Sequence, residues 1–305
     1  MGDHDSANEP ILSGPPLNSP DPALPTSANP EGRRGLQAVI HLDGFRRLWV
    51  GQIFSQLADK FYIVLMVYLI AQYWVTNTPD SNGALAEIAS AIRMDFETRA
   101  QRITLLATGI YVANTIPAMV LGSVAGVWVD RWPKRRVMVA SNGLRALLVL
   151  CTPLFLIPGP HWFGLSWGYW ALLVMTFLES VLTQFFAPAE QATIPLLVPR
   201  EHLLAANSLY QATSMGATIV GFALGDPILR GLNHLLQMVG INGGEFLLLP
   251  FCYGMAAISL STIQMREPPR KDSSDSVWKE IVAGIQVLRE QASVRGAMVH
   301  LVVLY

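Results

Sequence analysis

Charge is scarce in this sequence and cysteine almost absent. Asp, Glu, Lys and Arg make up 14% of its 305 residues, where an ordinary soluble protein carries about 25%. The shortage is local. Six stretches (48–75, 103–129, 137–157, 168–187, 203–229 and 246–264) hold only Asp59, Lys60, Arg145, Glu179 and Asp226 as charged residues. Apolar runs of this length exclude a soluble globular fold and predict membrane spans, and so an all-α polytopic protein in the lipid bilayer. The two cysteines, Cys151 and Cys252, both lie inside such runs. That excludes a disulfide framework or a cysteine-based metal site and leaves them as small buried hydrophobes. The six histidines show no zinc spacing, and no Gly-x-x-x-x-Gly-Lys-Ser/Thr loop is present. No metal and no cofactor are therefore expected, and an ion gradient replaces ATP as the energy source. A formal net charge of -1 provides no basic field for nucleic acid.

What is present divides the chain. Residues 1–45 are polar, with seven prolines among the first forty and no apolar core of a signal peptide, and read as a disordered, retained tail. Its first six residues fit the myristoylation pattern, but a protein with six spans needs no lipid anchor. With the N-terminus inside, fifteen lysines and arginines fall in cytoplasmic segments and four in outer loops, a positive-inside asymmetry that sets the topology; the expected location is the cell (inner) membrane. Residues 46–264 then form a six-helix bundle. Residues 265–295 are a cytoplasmic central loop, in which Trp278, Ile281, Ile285 and Leu288 share one helical face over 277–291. Residues 296–305 are apolar and rise about 15 Å as helix, half of a bilayer core of about 30 Å. They read as the start of a seventh span whose remainder lies beyond residue 305.

Charges at membrane depth are costly and face a cavity or a partner. Asp59 lies twelve residues after Arg47, near the midplane. It suits either proton coupling or a structural pair. Glu179, near the middle of the fourth span, suits a cavity role in substrate or proton binding. Arg145, nine residues after Arg136, pairs with a carboxylate on another helix or meets an anionic substrate, and the cost of an unpaired buried charge favours pairing. Asp226, near an outer helix end, reads as solvated. Gly216, Gly221 and Gly225 with Pro227 combine close-packing residues and a helix weakener in the fifth span. The Gly-x-Ser-x-Gly pattern at 164–168 lies in a short outer loop before a span. It lacks the strand-to-helix elbow that catalysis requires, so no enzymatic site is expected.

Between the second and third spans runs Gly122-Ser-Val-Ala-Gly126-Val-Trp-Val-Asp130-Arg131-Trp-Pro-Lys134-Arg135-Arg136. A glycine one turn before Asp130 lets a helix approach closely, and the basic cluster sits at the rim, where it can pair with helix ends or carboxylates. This segment resembles the Gly-x-x-x-Asp-Arg-x-Gly-Arg-Arg loop of the major facilitator superfamily, with Trp132-Pro133 in place of the usual turn residues. Phe45–Trp49 with Gly51–Asp59, and Phe185–Pro199 with Ala206-Asn207, are similar to the branch that holds the enterobactin exporter and macrolide efflux proteins.

The resemblance implies twelve helices in two six-helix halves, of which this chain supplies the first, with the second half as its partner. It implies alternating access around a midplane site. The loop residues Gly122, Gly126, Asp130, Arg131, Lys134, Arg135 and Arg136 would gate it. Asp59, Glu179 and Arg145 would serve substrate binding or coupling to a proton or other ion. The implied function is ion-coupled export of an amphipathic small molecule such as a siderophore or drug. An importer or lysophospholipid flippase of the same fold stays open, as does a six-span scaffold that transports nothing.

Overall fold

The computed structural model describes residues 30–75, 85–157, 159–162, 165–240, 243–265, 267 and 296. Its helices are α1 (Pro30–Ile40), α2 (Asp43–Leu69, continued by a π-helical stretch Ile70–Val75), α3 (Leu85–Arg131), α4 (Lys134–Leu150), α5 (Trp167–Leu197), α6 (Leu203–Gln237) and α7 (Leu248–Ser261). Two-residue strands β1 (His161–Trp162) and β2 (Leu165–Ser166) form a hairpin in which His161 faces Ser166. Six helices among the described residues are long and apolar enough to cross a membrane. The protein is an all-α, multi-pass membrane protein.

The helices pack in the succession α6, α2, α7, α4, α5, α3. Helix α2 packs against α6 on one side and α7 on the other; α7 packs on α4, α4 on α5, and α5 on α3. Lipid provides no hydrophobic force between helices, so close packing and polar contacts must hold them. Small residues allow the approach. A Cβ on Gly51 of α2 would stand 2.8 Å from Leu260 of α7, and one on Gly221 of α6 would stand 2.3 Å from the Lys60 Cβ. A Cβ on Gly225 would stand 3.1 Å from Val64. Threonine hydroxyls buried in the helices are satisfied on their own turn, as where Thr176 donates to Leu172 O and Thr193 to Ala189 O.

Two apolar cores result, with a polar layer between them. One gathers Ala58, Phe61, Leu65, Val149, Leu172, Met175, Leu249 and Tyr253. The other gathers Phe45, Leu48, Val137, Met138, Phe186, Ala189 and Leu260. Between the two sets, α2 carries Gln52 and Ser55, α4 carries Ser141, Asn142 and Arg145, and α5 carries Thr176, Glu179 and Ser180, all buried.

Several elements depart from the sequence reading. The segment taken as tail to residue 45 contains α1, whose Val39 is fully buried against the bundle; residues 1–29 lie outside the described residues. Helix α3 begins at Leu85, inside the segment read as an outer loop. Helix α5 runs ten residues past the predicted end of span four, to Leu197. Pro227 does not interrupt α6, which is continuous from Leu203 to Gln237. The amphipathic segment 277–291 and the apolar run after Gly296 lie outside the described residues.

The glycines of α6 separate into two kinds. Gly221 is pressed on the Lys60 stem, whereas a Cβ on Gly216 meets nothing within 4 Å. Gly221→Val should therefore cost stability, about 1–3 kcal/mol as overpacking, and lower the thermal unfolding temperature in detergent. Gly216→Val should leave that temperature unchanged. Equal melting of the two variants would contradict the packing described.

Candidate functional site: a buried ion cluster in the polar layer

Three of the charged residues found within the apolar stretches meet in one place. The guanidinium of Arg145, fully buried on α4, stands 3.4 Å from Asp59 on α2 and 3.7 Å from Glu179 on α5. Burial differs among them: side-chain exposure is 0% for Arg145, 5% for Glu179 and 23% for Asp59. Asp59 is therefore the member open to the outside of the bundle. The Tyr253 hydroxyl of α7 donates to Asp59 at 2.8 Å, so all four packed helices contribute. Arg145 also donates to Ser55 at 3.4 Å, and Ser55 donates to Asn142 at 3.0 Å. Rings cover the guanidinium faces, Phe186 at 5.0 Å and Tyr253 at 5.6 Å from its central carbon. Among the described residues, Nε and Nη2 of Arg145 and both Glu179 oxygens have no hydrogen-bond partner. The charges are held by attraction across gaps of three to four ångströms, a loose arrangement that a proton, a cation or a polar ligand group can perturb.

The pairing expected for Arg145 is thus found, and its partners are the two carboxylates that the sequence singled out separately. Lys60 turns away from Asp59 and lays its stem on Gly221.

The basic loop forms a second structure at one end of the bundle. Arg135 donates to the Ser261 carbonyl and Arg47 to the Thr262 carbonyl, so two guanidinium groups satisfy the C-terminal end of α7. Ser259 returns a bond to the Arg47 carbonyl at 2.8 Å. Lys134 donates to the Asp130 carbonyl at 2.8 Å, while the Asp130 side chain is exposed. Arg131 is half-buried, and Arg136 lines a cavity with Pro133, Ser261 and Met265. Trp132, which departs from the usual turn, lies tilted against Phe185 of α5 at 5.8 Å between ring centres. The helix-end pairing expected of the cluster is present. The close approach expected at Gly126 is not: among the described residues no atom comes within 4 Å of a Cβ there, and Gly122 meets only Gln184 at 3.5 Å.

At the opposite end, the Asp226 side chain is exposed, as expected, and is also paired. Both its oxygens accept from Arg230 Nε at 2.9 Å. The Arg230 guanidinium sits 5.5 Å from the Tyr68 ring. With Tyr111, Phe222, Val64 and Gln72 they line a cavity of about 330 Å³ between α2, α3 and α6. Of the Gly164–Gly168 pattern, Leu165 and Ser166 form β2 and Trp167 and Gly168 open α5, while Gly164 lies outside the described residues.

Two buried carboxylates escaped the sequence reading. Glu190 is fully buried and accepts from the Tyr210 hydroxyl at 3.1 Å; Glu245, 5% exposed, begins the turn before α7. Both fall just outside the uncharged stretches, three residues after 187 and one before 246. A boundary drawn where charge begins excludes the charge that ends it.

The geometry agrees with comparisons to known proteins. The Major Facilitator Superfamily profile matches residues 48–304. Macrolide efflux protein A of Enterococcus faecalis is 26% identical over 181 residues, 57% of this chain and 50% of that protein. The multidrug efflux pump Tap of Mycolicibacterium fortuitum is 28% identical over 184 residues, 58% of this chain and 42% of the pump. An uncharacterised MFS-type transporter of Bacillus subtilis, YfiS, is 28% identical over 140 residues, 46% of this chain and 30% of that protein. No solved structure matches. The chain spans half or less of the length of these relatives. A match over most of the chain, six apolar helices and a charge cluster in the polar layer make the assignment: this protein belongs to the major facilitator superfamily of membrane transporters.

Proposed function

We propose that this chain is the first half of an ion-gradient-coupled exporter of amphipathic small molecules, working with a second six-helix half. Its N-terminus and basic loop face the cytoplasm of the cell (inner) membrane. The observation that carries the reading is the Arg145 guanidinium held loosely between two carboxylates on different helices, one of them partly open. An incoming proton on Asp59 or Glu179 removes one attraction from Arg145 and alters the forces between α2, α4 and α5. That is how a gradient would bias two states of the bundle.

Outward direction is supported by the relatives named for macrolide and multidrug efflux. The cavity lined by Tyr68, Tyr111 and Phe222 beside the Asp226–Arg230 pair offers apolar rings next to charge, which suits a molecule with both kinds of surface. The basic loop, which ties α4 to the end of α7, is a bolt at the cytoplasmic rim that closes and opens with the cycle.

The test uses the full coding frame expressed in a drug-sensitive host. Everted vesicles should accumulate a radiolabelled macrolide or a fluorescent amphipathic dye when the lumen is acidified, and release it when an ionophore collapses the gradient. Accumulation that ignores the ionophore, or translocation of lysophospholipid alone, would reject coupled drug export.

A further inference from the structure

Glu190 is fully buried on α5, one turn beyond Phe186, whose ring covers Arg145. Its Oε2 accepts from the Tyr210 hydroxyl of α6; its Oε1 has no hydrogen-bond partner among the described residues. No ion pair among the described residues reaches it. The groups that act on it electrostatically are Tyr210 on α6, Asp59 on α2 and Arg145 on α4. On its own helix lies Glu179, three turns away, and α3 brings Asp130 and Arg131 to the same end of the bundle.

The charge count is unbalanced. Arg145 is the one cation ion-paired in the polar layer among the described residues, and it already serves Asp59 and Glu179. An ionised Glu190 would add a buried negative charge that no cation among the described residues meets in an ion pair, at the cost that makes lone charges rare at this depth. A polar row connects the two places. The Gln52 amide donates to the Tyr210 carbonyl at 3.0 Å, and Ser55, one turn along α2, joins Asn142 and Arg145.

We propose that Glu190 is a second proton-carrying site, separate from the Asp59–Arg145–Glu179 cluster, that exchanges its proton with water at the basic face of the bundle. The proposal rests on the ion-coupled reading given above and places the coupling ion as a proton. The step is a proton transfer alone. The Glu190 O–H bond breaks, water at the basic face takes the proton, and the carboxylate left behind is refilled from the cluster when the bundle changes state. Glu190 stands seven residues from the end of α5, about 10 Å along the helix, so exchange requires the rim to open. The Arg47 and Arg135 contacts to α7 are what would part.

Glu190→Gln keeps the shape and hydrogen bonding of the protonated acid. It should insert and melt like the wild type, exchange radiolabelled substrate across vesicles at the wild-type rate, and lose accumulation driven by a proton gradient. In infrared spectra the carboxylic-acid C=O band assigned to Glu190 should vanish in Glu190→Gln. Tyr210→Phe should shift that band, because the acceptor loses its donor; this second variant decides the matter if Glu190→Gln fails to insert. Gradient-driven accumulation at the wild-type level in Glu190→Gln, or a C=O band unchanged in both variants, overturns the proposal. A wild type that accumulates substrate without regard to the proton gradient overturns the coupling reading instead, and the infrared band then reports on the Glu190 proton by itself.

Discussion

Replacing Arg145 with methionine should nearly eliminate the protein from the membrane. Methionine preserves much of the stem but leaves Glu179, buried, and Asp59, partly exposed, without the one cation they share. Removing one partner from a buried pair costs about 3–5 kcal/mol. Against a total stability of about 5–15 kcal/mol, that loss leaves little folded protein. The check is the yield of monodisperse protein after detergent extraction, with its unfolding temperature. Arg145→Lys should recover part of the yield, since it restores a charge without the planar fork that reaches two helices at once. An Arg145→Met protein as abundant and stable as the wild type would show that the cluster does not hold the bundle together.

The second expected result separates folding from transport. Asp59→Asn and Glu179→Gln should each give wild-type amounts of protein and abolish uphill transport, to the level of vesicles that lack the protein. The reason is the shared guanidinium. Either single change leaves Arg145 with one carboxylate at 3.4 or 3.7 Å, so the buried charge stays compensated. The cluster, however, loses an oxygen that can take up a proton. Changing both residues at once leaves Arg145 fully buried and unpaired, and should reproduce the poor yield of Arg145→Met. The loss should far exceed the sum of the single changes, as expected of groups in one network. Uphill transport by both single variants would remove these carboxylates from the coupling mechanism.

The fold was legible because its cause is compositional. Helices that cross lipid must satisfy their own backbone, so each span is an uninterrupted apolar helix visible as a long run without charge. The same cost made Asp59, Arg145 and Glu179 conspicuous. Their meeting was not legible, since it depends on which faces of α2, α4 and α5 turn inward, and that is set by packing rather than by spacing. The glycines show the limit from the other side. Gly221 and Gly225 are pressed against α2 as small-residue packing would have it, while a Cβ on Gly126 or Gly216, alike in sequence, would meet nothing within 4 Å among the described residues. Glu190 lies within the segment that resembles efflux proteins, yet three residues past the apolar stretch that ends at 187, on a helix that continues to Leu197.

One measurement goes to the coupling itself. Everted vesicles holding the full-frame protein are loaded with an acidic lumen and a pH-sensitive dye, then given a substrate found in the drug panel. Proton-coupled export requires substrate to drive protons out of the lumen in the wild type, seen as prompt alkalinisation, and requires Glu179→Gln vesicles to stay silent. Substrate that enters the wild-type lumen with no proton release, or equal release by Glu179→Gln, would contradict a mechanism centred on the Asp59–Arg145–Glu179 cluster.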